Sequence, residues 1–355
     1  MKLLTINPGS TSTKIAVYDD TNPVFAESIK HPVDQLKQFV RVCDQYEFRR
    51  DLVVKTLEEN GIDFDFEAVV GRGGLLKPIE GGVYRVNDTM LDEMAHCRRD
   101  HASNLGCRIA HYIAERIPGC IPLIADPVVV DEMVDVARIS GSPLMPRESA
   151  WHALNQRSIA RRYASEHGLR YEDLDLIVAH LGGGISIGAH HHGRCIDVNN
   201  AFDGEGPFSP ERAGSLPPGH LIDLCYSQQY THEQLRRRIS GNAGLAAHLG
   251  TTDVAAIVEA IKHGDKKSAL VLNGMIYAIA KWIGGLAVAL HGHVDAIILT
   301  GGVAYSDYVV SAITDYVSFL GQVYVYPGEN EMLALAANGV GALNGSIPIK
   351  EYAPE

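Results

Sequence analysis

A polar turn between two short apolar runs near the N-terminus constrains the fold most, because it recurs half a chain later. Residues 3–6 and 15–18 have the composition of β-strands, and Pro8, Gly9, four hydroxyl residues and Lys14 lie between them. Phosphate oxygens bind to a glycine backbone, to hydroxyl donors and to an ammonium group. The turn lacks the Gly-x-x-x-x-Gly-Lys-Ser/Thr spacing of a P-loop, so on its own it fits a plain hairpin as well as a phosphate site.

The second copy of this pattern spans residues 176–191. An apolar run there leads into Gly182, Gly183 and Gly184 and then into a second alternating run. A third junction follows at 296–305, where Ile-Ile-Leu-Thr precedes two further glycines and a helix-like segment. Two similar hairpins and a third glycine turn predict a duplicated α/β fold that closes around one nucleotide.

Length, charge and cysteine usage limit the classes of protein. A chain of 355 residues with 46% hydrophobic content is long enough for two domains, and the stretch 127–148, with three prolines, marks the boundary. The 43 acidic and 31 basic residues give a net charge of -12, which argues against nucleic-acid and anionic-membrane partners. Short basic clusters such as Arg49 and Arg50 are interpreted as solvated helix faces. Six cysteines without a Cys-x-x-Cys pair, and no signal-peptide pattern, predict a cytoplasmic protein.

The remaining chain alternates strand and helix patterns, which favours α/β layers. Further strands are predicted at 24–30, 68–71, 83–86, 121–125, 294–299 and 322–326. Helices are predicted at 34–60 with Asp34 as the cap, at 89–98, 104–116, 149–164, 305–319 and 330–343, and over most of 221–290. The apolar stretch 274–290 contains Lys281 and is interpreted as a buried helix rather than a membrane span.

Two charged residues directly follow predicted strands, where α/β folds place their ligand-binding residues. Arg72 follows the strand at 68–71, and its guanidinium could hold carboxylate and phosphoryl oxygens together. Asp126 follows the strand at 121–125 and could bind a metal or act as a base. The alternatives are a surface arginine beside a turn and a carboxylate that caps a turn or helix.

Several histidines and one serine allow competing interpretations. His152, at a helix start, and His180, at a strand tip, could donate hydrogen bonds to a phosphoryl group or serve only structure. The run 190–192 contains three histidines, which suggests a metal site or an ordinary hairpin turn. Residues 184–188 match the Gly-x-Ser-x-Gly elbow of α/β-hydrolases, but Ser186 lies in an alternating run instead of a strand–turn–helix, so a hydrolase is disfavoured.

Longer segments resemble one family. The sequences Asn-Pro-Gly-Ser-Thr-Ser-Thr-Lys at 7–14, His-Leu-Gly-Gly-Gly at 180–184 and Thr-Gly-Gly at 300–302 resemble the two phosphate turns and the adenosine turn of acetate and butyrate kinases. The resemblance covers nearly the whole chain. The segments most similar to the butyrate kinases of this family are 71–78, 100–106 and 206–212.

The resemblance implies a duplicated actin-like, ribonuclease-H-like α/β fold with two similar domains, 1–148 plus about 331–355 and 149–330. It implies an enzyme that uses ATP, ADP and Mg2+ and forms a homodimer or a larger homo-oligomer. The implied catalytic residues are Arg72, Asp126, His152 and His180, with Arg212 as the nearest match to a second arginine in a loop that departs from the acetate kinase pattern. The implied phosphate- and nucleotide-binding residues are Asn7, Ser10, Ser12, Lys14, Gly182, Gly183, Gly184, Gly301 and Gly302. The implied Mg2+ residues, acting directly or through water, are Asn7, Asp126 and Glu331.

The resemblance also implies a substrate, a small carboxylic acid. Acetate kinases carry bulky valines after the equivalent arginine, whereas this chain has Gly73 and Gly74, with His101 also assigned to the substrate pocket. The glycines predict room for four carbons, and each added methylene that is buried contributes about 0.8 kcal/mol. The expected reaction is reversible in-line transfer from ATP to butanoate, giving ADP and butanoyl phosphate. Alternatives are an acetate, propionate or branched-chain fatty acid kinase of the same family and a non-catalytic actin-like assembly protein.

Overall fold

The computed structural model describes residues 1–96 and 100–353. Its strands are β1 (Lys2–Pro8), β2 (Ser12–Asp19), β3 (Asn22–Lys30), β4 (Ala68–Arg72), β5 (Val83–Arg85), β6 (Ile121–Ala125), β7 (Asp175–Leu181), β8 (Ile185–His191), β9 (Arg194–Val198), β10 (Ala296–Gly301), β11 (Val323–Pro327) and β12 (Ile349–Glu351). Its helices are α1 (Val33–Leu36), α2 (Tyr46–Glu59), α3 (Asp88–Ala95), α4 (Asn104–Ala114), α5 (Asp135–Arg138), α6 (Ala153–Glu166), α7 (Pro218–Tyr226), α8 (His232–Ile239), α9 (Gly244–Leu249), α10 (Val254–Lys262), α11 (Lys266–Ala289), α12 (Asp307–Val317) and α13 (Glu331–Leu343).

Contacts between these elements divide the chain into two units. Unit 1 comprises Met1–Val130, Ala153–Asn155 and Asn330–Glu355. Unit 2 comprises Asp131–His152 and Gln156–Glu329. Each unit is built on one β-sheet.

The two sheets share a strand order. Unit 1 contains seven strands in the order β12-β5-β6-β4-β1-β2-β3, and unit 2 contains five in the order β11-β10-β7-β8-β9. In both sheets three consecutive antiparallel strands are followed by two parallel strands, so that β3-β2-β1-β4-β6 corresponds to β9-β8-β7-β10-β11. This correspondence confirms the duplication that the two hairpins predicted.

In unit 1, alternate side chains of the strands face different helices. Leu4 and Ile6 of β1 pack with residues of α2 and α4, whereas Leu3 packs with residues of α13. Strands β1, β4 and β6 run parallel to one another. Their carboxyl ends therefore lie at the same edge of the sheet, and polar side chains at this edge can meet.

In unit 2, the sheet is also covered on both faces. Ile177 of β7 packs in a cluster with α11, and Val178 packs with α6. By length and composition alone, α11 could cross a membrane. One face of this helix, including Ile279 and Ile283, is buried in the core of the unit, which accounts for much of its apolar composition.

The prediction of a single helix over 34–60 is wrong. The chain forms one helical turn, α1, then a 3-10 turn at Val42–Gln45, and only then α2. The Asp100 carboxylate accepts hydrogen bonds from the backbone N–H groups of Val42 at 2.5 Å and Cys43 at 3.0 Å, which fixes a new helical start there. The residue that precedes α1 is Pro32, so Asp34 is not its cap. A contact between residues so distant in sequence leaves no local pattern.

Smaller differences concern the ends of other elements. The helix predicted from residue 149 begins at Ala153, and β9 was not predicted. The segment 127–148 is irregular apart from the short helix α5, as expected. The end of the helix predicted over 89–98 lies partly outside the described residues.

Candidate active site

Three predicted site residues meet at the sheet edge of unit 1. Arg72 ends β4, Asn7 lies one residue before the end of β1, and Glu331 begins α13. Arg72 Nη1 lies 2.5 Å from Glu331 Oε1 and 3.4 Å from Asn7 Oδ1, while Asn7 Nδ2 donates to Glu331 Oε2 at 2.5 Å. The guanidinium is thus held in place by a carboxylate and an amide. A planar guanidinium oriented in this way can offer a pair of parallel N–H donors to a carboxylate or phosphoryl group.

Asp126 lies at the same edge, directly after β6, and its position is fixed by two backbone hydrogen bonds. Its Oδ1 accepts from Gly82 N at 2.7 Å, and its own N–H donates to Gly82 O at 3.0 Å. The side chain is buried, and the backbone φ of 37° lies in the left-handed region, which is uncommon for a residue with a Cβ. Such a conformation persists only where the surroundings determine it, so the carboxylate is closely positioned.

The oxygen donors of this edge fit a hard cation such as Mg2+. Glu331 and Asp126 offer carboxylates and Asn7 an amide oxygen, and Mg2+ prefers such ligands to nitrogen or sulfur. Mg2+ sites in kinases usually contain one or two carboxylates, with phosphates and water as the other ligands. In the described part of the chain, the one group of three metal-type side chains with ligand atoms within 4.8 Å of each other lies elsewhere, in unit 2.

The turn between β1 and β2 carries the predicted phosphate-binding residues of unit 1. Gly9 N donates to Ser12 O at 2.7 Å and closes the turn, with Ser10 exposed and Ser12 half-buried. Lys14 stands opposite Asn7 in the strand register, so the two side chains lie on the same face of the sheet. The register therefore places an ammonium group beside the Arg72 cluster.

A residue that sequence reasoning missed lies beneath this turn. Arg49 of α2 is fully buried, so its interpretation as part of a solvated helix face is wrong. Its guanidinium donates to the carbonyl oxygens of Gly9 at 2.6 Å, Ser10 at 3.0 Å and Ser12 at 3.2 Å, and to Gln45. No carboxylate within residues 1–96 and 100–353 pairs with it, and burial lowers the pKa of Arg49 to about 10, still well above neutrality. A buried positive charge therefore lies directly under the turn.

The two glycines after Arg72 are close-packed. A Cβ at position 73 would lie 2.6 Å from Pro127 Cβ, and a Cβ at position 74 would lie 2.6 Å from Asn104 Oδ1. Neighbouring atoms already fill the space that these side chains would occupy. The prediction that Gly73 and Gly74 leave open room for four carbons is therefore wrong in its reason, because packing requires glycine here.

His101 lies three residues before the first residue of α4. Its side chain is exposed, and its Nδ1 lies 2.8 Å from Ser103 Oγ. It follows Asp100, whose carboxylate holds the 3-10 turn before α2. The assignment of His101 to the substrate pocket stays a prediction.

In unit 2, the two predicted histidines form a stacked pair. His180 lies near the end of β7, and His152 immediately precedes α6. Their ring centroids are 3.8 Å apart and their planes differ by 11°. His180 Nε2 lies 3.0 Å from Glu329 Oε1, and His152 Nδ1 lies 2.9 Å from Ser186 Oγ. Glu329 and Ser186 were not predicted as partners, because only the folded sheet brings them near.

The second glycine turn, Gly182 to Gly184, is held by the long loop that follows β9. Gly183 O accepts from Ser209 Oγ at 2.5 Å and from Glu211 N at 3.1 Å. These bonds bring Arg212 close to the turn, since a Cβ at Gly184 would lie 4.0 Å from Arg212 Nε.

Only some of the N–H donors of the Arg212 guanidinium have hydrogen-bond acceptors among the described residues. Its Nη1 donates to Ser240 Oγ, and its central guanidinium carbon, Cζ, lies 5.3 Å from the ring centroid of Phe202. Its Nε is buried without a hydrogen-bond acceptor in the part of the chain that the structure describes. A buried donor without an acceptor costs free energy, which an anion bound at the glycine turn would recover.

The third glycine turn follows β10. Gly301 has φ of 89°, and a Cβ there would lie 2.4 Å from Leu181 O at the end of β7. Only glycine satisfies both conditions, so the ends of these parallel strands approach closely. Gly302 begins the 3-10 turn Gly302–Tyr305, and no atom comes within 4 Å of its missing Cβ.

The three consecutive histidines have different surroundings. His190 is fully buried, its Nδ1 lies 2.6 Å from Tyr171 Oη, and burial lowers its pKa to about 3. His191 and His192 are exposed beside Asp175, and these three residues are the group of metal-type ligands mentioned above. His190 therefore belongs to the core, and the run does not act as one site.

The Gly-x-Ser-x-Gly segment lies within β8. Ser186 is fully buried in the strand, opposite His180 in the β7–β8 register. A hydrolase nucleophile lies in a strand–turn–helix that exposes its hydroxyl. Ser186 lies inside a strand, and its hydroxyl is buried.

The chain is similar to known proteins of one family. The acetokinase family model matches residues 144–340. A probable butyrate kinase of Bacteroides thetaiotaomicron is 61% identical over 352 residues, which cover 99% of this chain and 100% of the relative. The chain belongs to the acetokinase family. Butyrate kinase 1 of Clostridium acetobutylicum is 49% identical over 354 residues, with 99% of each chain covered.

Solved structures with low sequence identity share the fold of this chain. The acetate kinase of Porphyromonas gingivalis has a TM-score of 0.77 at 19% identity, covering 96% of this chain and 99% of its own. A propionate kinase of Francisella tularensis has a TM-score of 0.74 at 17% identity, covering 95% and 98%. The chain therefore has the actin-like α/β fold, and membership of the family makes it a phosphotransferase that uses ATP or ADP.

Proposed function

We propose that this protein transfers the γ-phosphoryl group of ATP reversibly to butanoate, giving ADP and butanoyl phosphate. Relatives named butyrate kinase match it over their whole length at 61% and 49% identity. The observation that carries the proposal is Arg72, because its guanidinium is oriented by Glu331 and Asn7 at the carboxyl edge of a parallel sheet. A pure nucleotide-binding protein has no need for an arginine held in this way.

In this proposal Arg72 binds the acid. Butanoate is already ionised at neutral pH, so the reaction needs no strong general base. Catalysis then depends on positioning the two reactants in line and on stabilising the charge of the phosphoryl oxygens. Arg72 holds the carboxylate oxygens, and Lys14 adds positive charge on the same face of the sheet.

Glu331 and Asp126, with Asn7, would hold Mg2+ either directly or through water. When bound, Mg2+ supplies charge neutralisation at the nucleotide phosphates. The tight hydrogen bonds of Asp126 to Gly82 keep its carboxylate in one orientation for this purpose.

The residues of unit 2 act on the phosphates and the nucleoside. His152 and His180 donate hydrogen bonds to the oxygens of the transferring phosphoryl group. The Gly182–Gly184 turn and Arg212 Nε receive phosphate oxygens, which satisfies the buried donor. Gly301 and Gly302 of unit 2 are assigned to the adenosine. In unit 1, Ser10 and Ser12 are assigned to phosphate binding.

We further propose a cytoplasmic homodimer. Unit 2 exposes aromatic and aliphatic side chains on α11 and just after α12, including Leu270, Tyr277 and Phe319. Tyr277 packs against Tyr316 with 5.8 Å between ring centroids. Exposed apolar side chains grouped in this way support an interface between copies of the chain.

A hydroxamate assay across acids of two to six carbons tests the substrate. We expect kcat/KM for butanoate to exceed that for acetate by about tenfold, which is the gain expected if the site buries two further methylenes. Since the glycines after Arg72 leave no open space, this expectation rests on the named relatives. An equal or larger value for acetate would favour another acid of the same family. Binding of ATP with no hydroxamate from any acid would favour the assembly protein.

The same assay tests Arg72. Replacing Arg72 by alanine should lower kcat by about 100-fold or more while ATP still binds, because charge stabilisation at the reacting groups is lost. Arg85→Ala is the control, since Arg85 is a half-exposed arginine of the same unit that pairs with Glu351 at 3.3 Å. Turnover by Arg72→Ala close to that of the control would refute the assigned role.

A further inference from the structure

A buried chain of hydrogen bonds runs from Tyr171 to the stacked histidine His152. Tyr171 Oη lies 2.6 Å from His190 Nδ1, and His190 Nε2 lies 3.0 Å from Gln156 Oε1. Gln156 Nε2 donates to Ser186 Oγ at 2.7 Å, and Ser186 Oγ lies 2.9 Å from His152 Nδ1. Gln156, Ser186 and His190 are fully buried, so water does not compete for these bonds.

The backbone fixes the direction of these bonds at Gln156. Its amide nitrogen also donates to the carbonyl oxygen of Ser186 at 3.0 Å, and a carbonyl oxygen can only accept. The amide oxygen of Gln156 therefore faces His190, whose Nε2 must carry a proton. His190 is neutral, because burial holds its pKa at about 3, so its Nδ1 accepts the hydrogen bond of Tyr171.

The hydrogen bonds that Ser186 accepts determine where its own hydroxyl hydrogen points. Its oxygen accepts from the Gln156 amide at 2.7 Å and from the backbone N–H of His152 at 3.3 Å. A hydroxyl has two acceptor positions and one hydrogen. With both acceptor positions taken, the hydrogen of Ser186 points to His152 Nδ1.

We propose that Ser186 and Gln156 are positioning residues that keep the ring of His152 in the tautomer with its proton on Nε2. The proposal rests on the proposed function, in which His152 donates a hydrogen bond to the transferring phosphoryl group. A hydroxyl that donates to Nδ1 makes Nε2 the donor of the neutral ring and fixes its orientation. Stacking on His180 at 3.8 Å holds the plane of the same ring.

This role explains the Gly-x-Ser-x-Gly segment that no hydrolase chemistry uses. Gly184 belongs to the phosphate turn, and Ser186 two residues later reaches His152. A Cβ at Gly188 would lie 2.8 Å from Gln156 Oε1 and 3.1 Å from His190 Nε2. Glycine at this position therefore leaves room for the hydrogen bond between Gln156 and His190.

The test uses Ser186→Ala in the full-length protein. This change removes one oxygen, while Gln156 keeps its bond to the backbone carbonyl of residue 186, so the fold should persist. We expect kcat for acyl phosphate formation to fall about tenfold or more, with KM for ATP and acid nearly unchanged, because the donor matters mainly in the transition state. In 15N spectra of histidine-labelled protein, His152 Nδ1 should be unprotonated in the parent and at least partly protonated in the variant. The spectrum of His152→Gln assigns the signals.

Tyr171→Phe is the matched control. It removes a buried hydroxyl from the far end of the same chain, but the orientation of Gln156 is still fixed by the carbonyl of Ser186. It should lower stability without changing kcat or the His152 signals. The proposal is overturned if Ser186→Ala leaves the His152 tautomer unchanged, or if Tyr171→Phe lowers kcat as much. The tautomer of His152 is measured without substrate, so this measurement tests the positioning role even if butanoate is not the acceptor.

Discussion

A single buried charge dominates the N-terminal turn. Arg49 binds three carbonyl oxygens of the turn, so the turn's carbonyls point towards the core. The charge is buried beneath the turn, in surroundings where electrostatic interactions are stronger than in water. Arg49 thus shapes the turn and places a buried positive charge beneath it.

This predicts that Arg49→Lys raises KM for ATP. The ammonium group keeps the charge but cannot make the several fixed bonds of a guanidinium, so the turn loses its shape. We expect KM for ATP to rise about fivefold to tenfold, kcat to change little, and the free energy of unfolding to fall by about 1–3 kcal/mol. Steady-state kinetics and urea unfolding measure these quantities.

Arg50→Lys is the control for this prediction. Arg50 is the next residue of the same helix and pairs with Asp51 at 2.7 Å, away from the turn. If Arg49→Lys lowers stability but leaves KM for ATP at the value of the control, the arginine has only a structural role.

Site residues at strand ends could be predicted from the sequence, whereas buried residues that support the site could not. Arg72 and Asp126 could be selected because each directly follows an apolar strand. Arg49 was missed because charge alone was considered. Its spacing contained the signal, since positions 46, 49, 53 and 57 form one helical stripe, of which 49, 53 and 57 are buried. The network around Ser186 had no such signal, because its partners come from separate elements.

Two glycines set the distance between α4 and β4. A Cβ at Gly71 would lie 2.4 Å from Gly106 O, and a Cβ at Gly106 would lie 2.3 Å from Arg72 O. The helix therefore lies directly on the backbone of the strand that ends with Arg72. Packing of this kind transmits any displacement of the helix to the guanidinium.

We predict that Gly106→Ala impairs both stability and catalysis. The added methyl group must push α4 away from the backbone of Arg72, and such overpacking costs about 1–3 kcal/mol. The free energy of unfolding should fall by this amount, and kcat should fall several-fold because Arg72 moves. Gly141→Ala is the control, since its φ is not in the left-handed region and no atom comes within 4 Å of the added group. Equal stability of the two variants would show that the contact is easily relieved.

Elements were predictable from the sequence where local pattern decides them. The hairpins, the parallel strands and the C-terminal helix were found within a few residues, because alternation and turn residues are local signals. The break between α1 and α2 was not, since it depends on a hydrogen bond from Asp100 to Val42 and Cys43. The packing of Gly73 and Gly74 was equally inaccessible, because a glycine in sequence does not reveal whether its missing side chain leaves a space or a contact.

Each of the two units contains a buried neutral histidine. His31 of unit 1 lies 2.8 Å from Thr13 Oγ1, and burial, with the nearby charge of Arg49, lowers its pKa from 6.5 to about 4. His190 of unit 2 has a pKa lowered from 6.5 to about 3, chiefly by burial. In the unfolded chain both rings take up a proton below their ordinary pKa, whereas in the folded chain they stay neutral until the pH is much lower.

The stability of the protein should therefore fall on acidification. Between the ordinary pKa of 6.5 and the folded pKa values of about 4 and about 3, the unfolded state binds more protons than the folded state. In this range each histidine lowers the free energy of unfolding by about 1 kcal/mol for every unit by which the pH falls. Urea unfolding between about pH 6 and pH 4.5 measures this slope. His190→Gln should be less stable at pH 7, because hydrogen bonds are lost, yet its slope should be smaller by the contribution of one histidine. His263→Gln, which replaces an exposed histidine, should keep the parent slope. A His190→Gln slope equal to that of the parent would mean that this ring is not held neutral in the core.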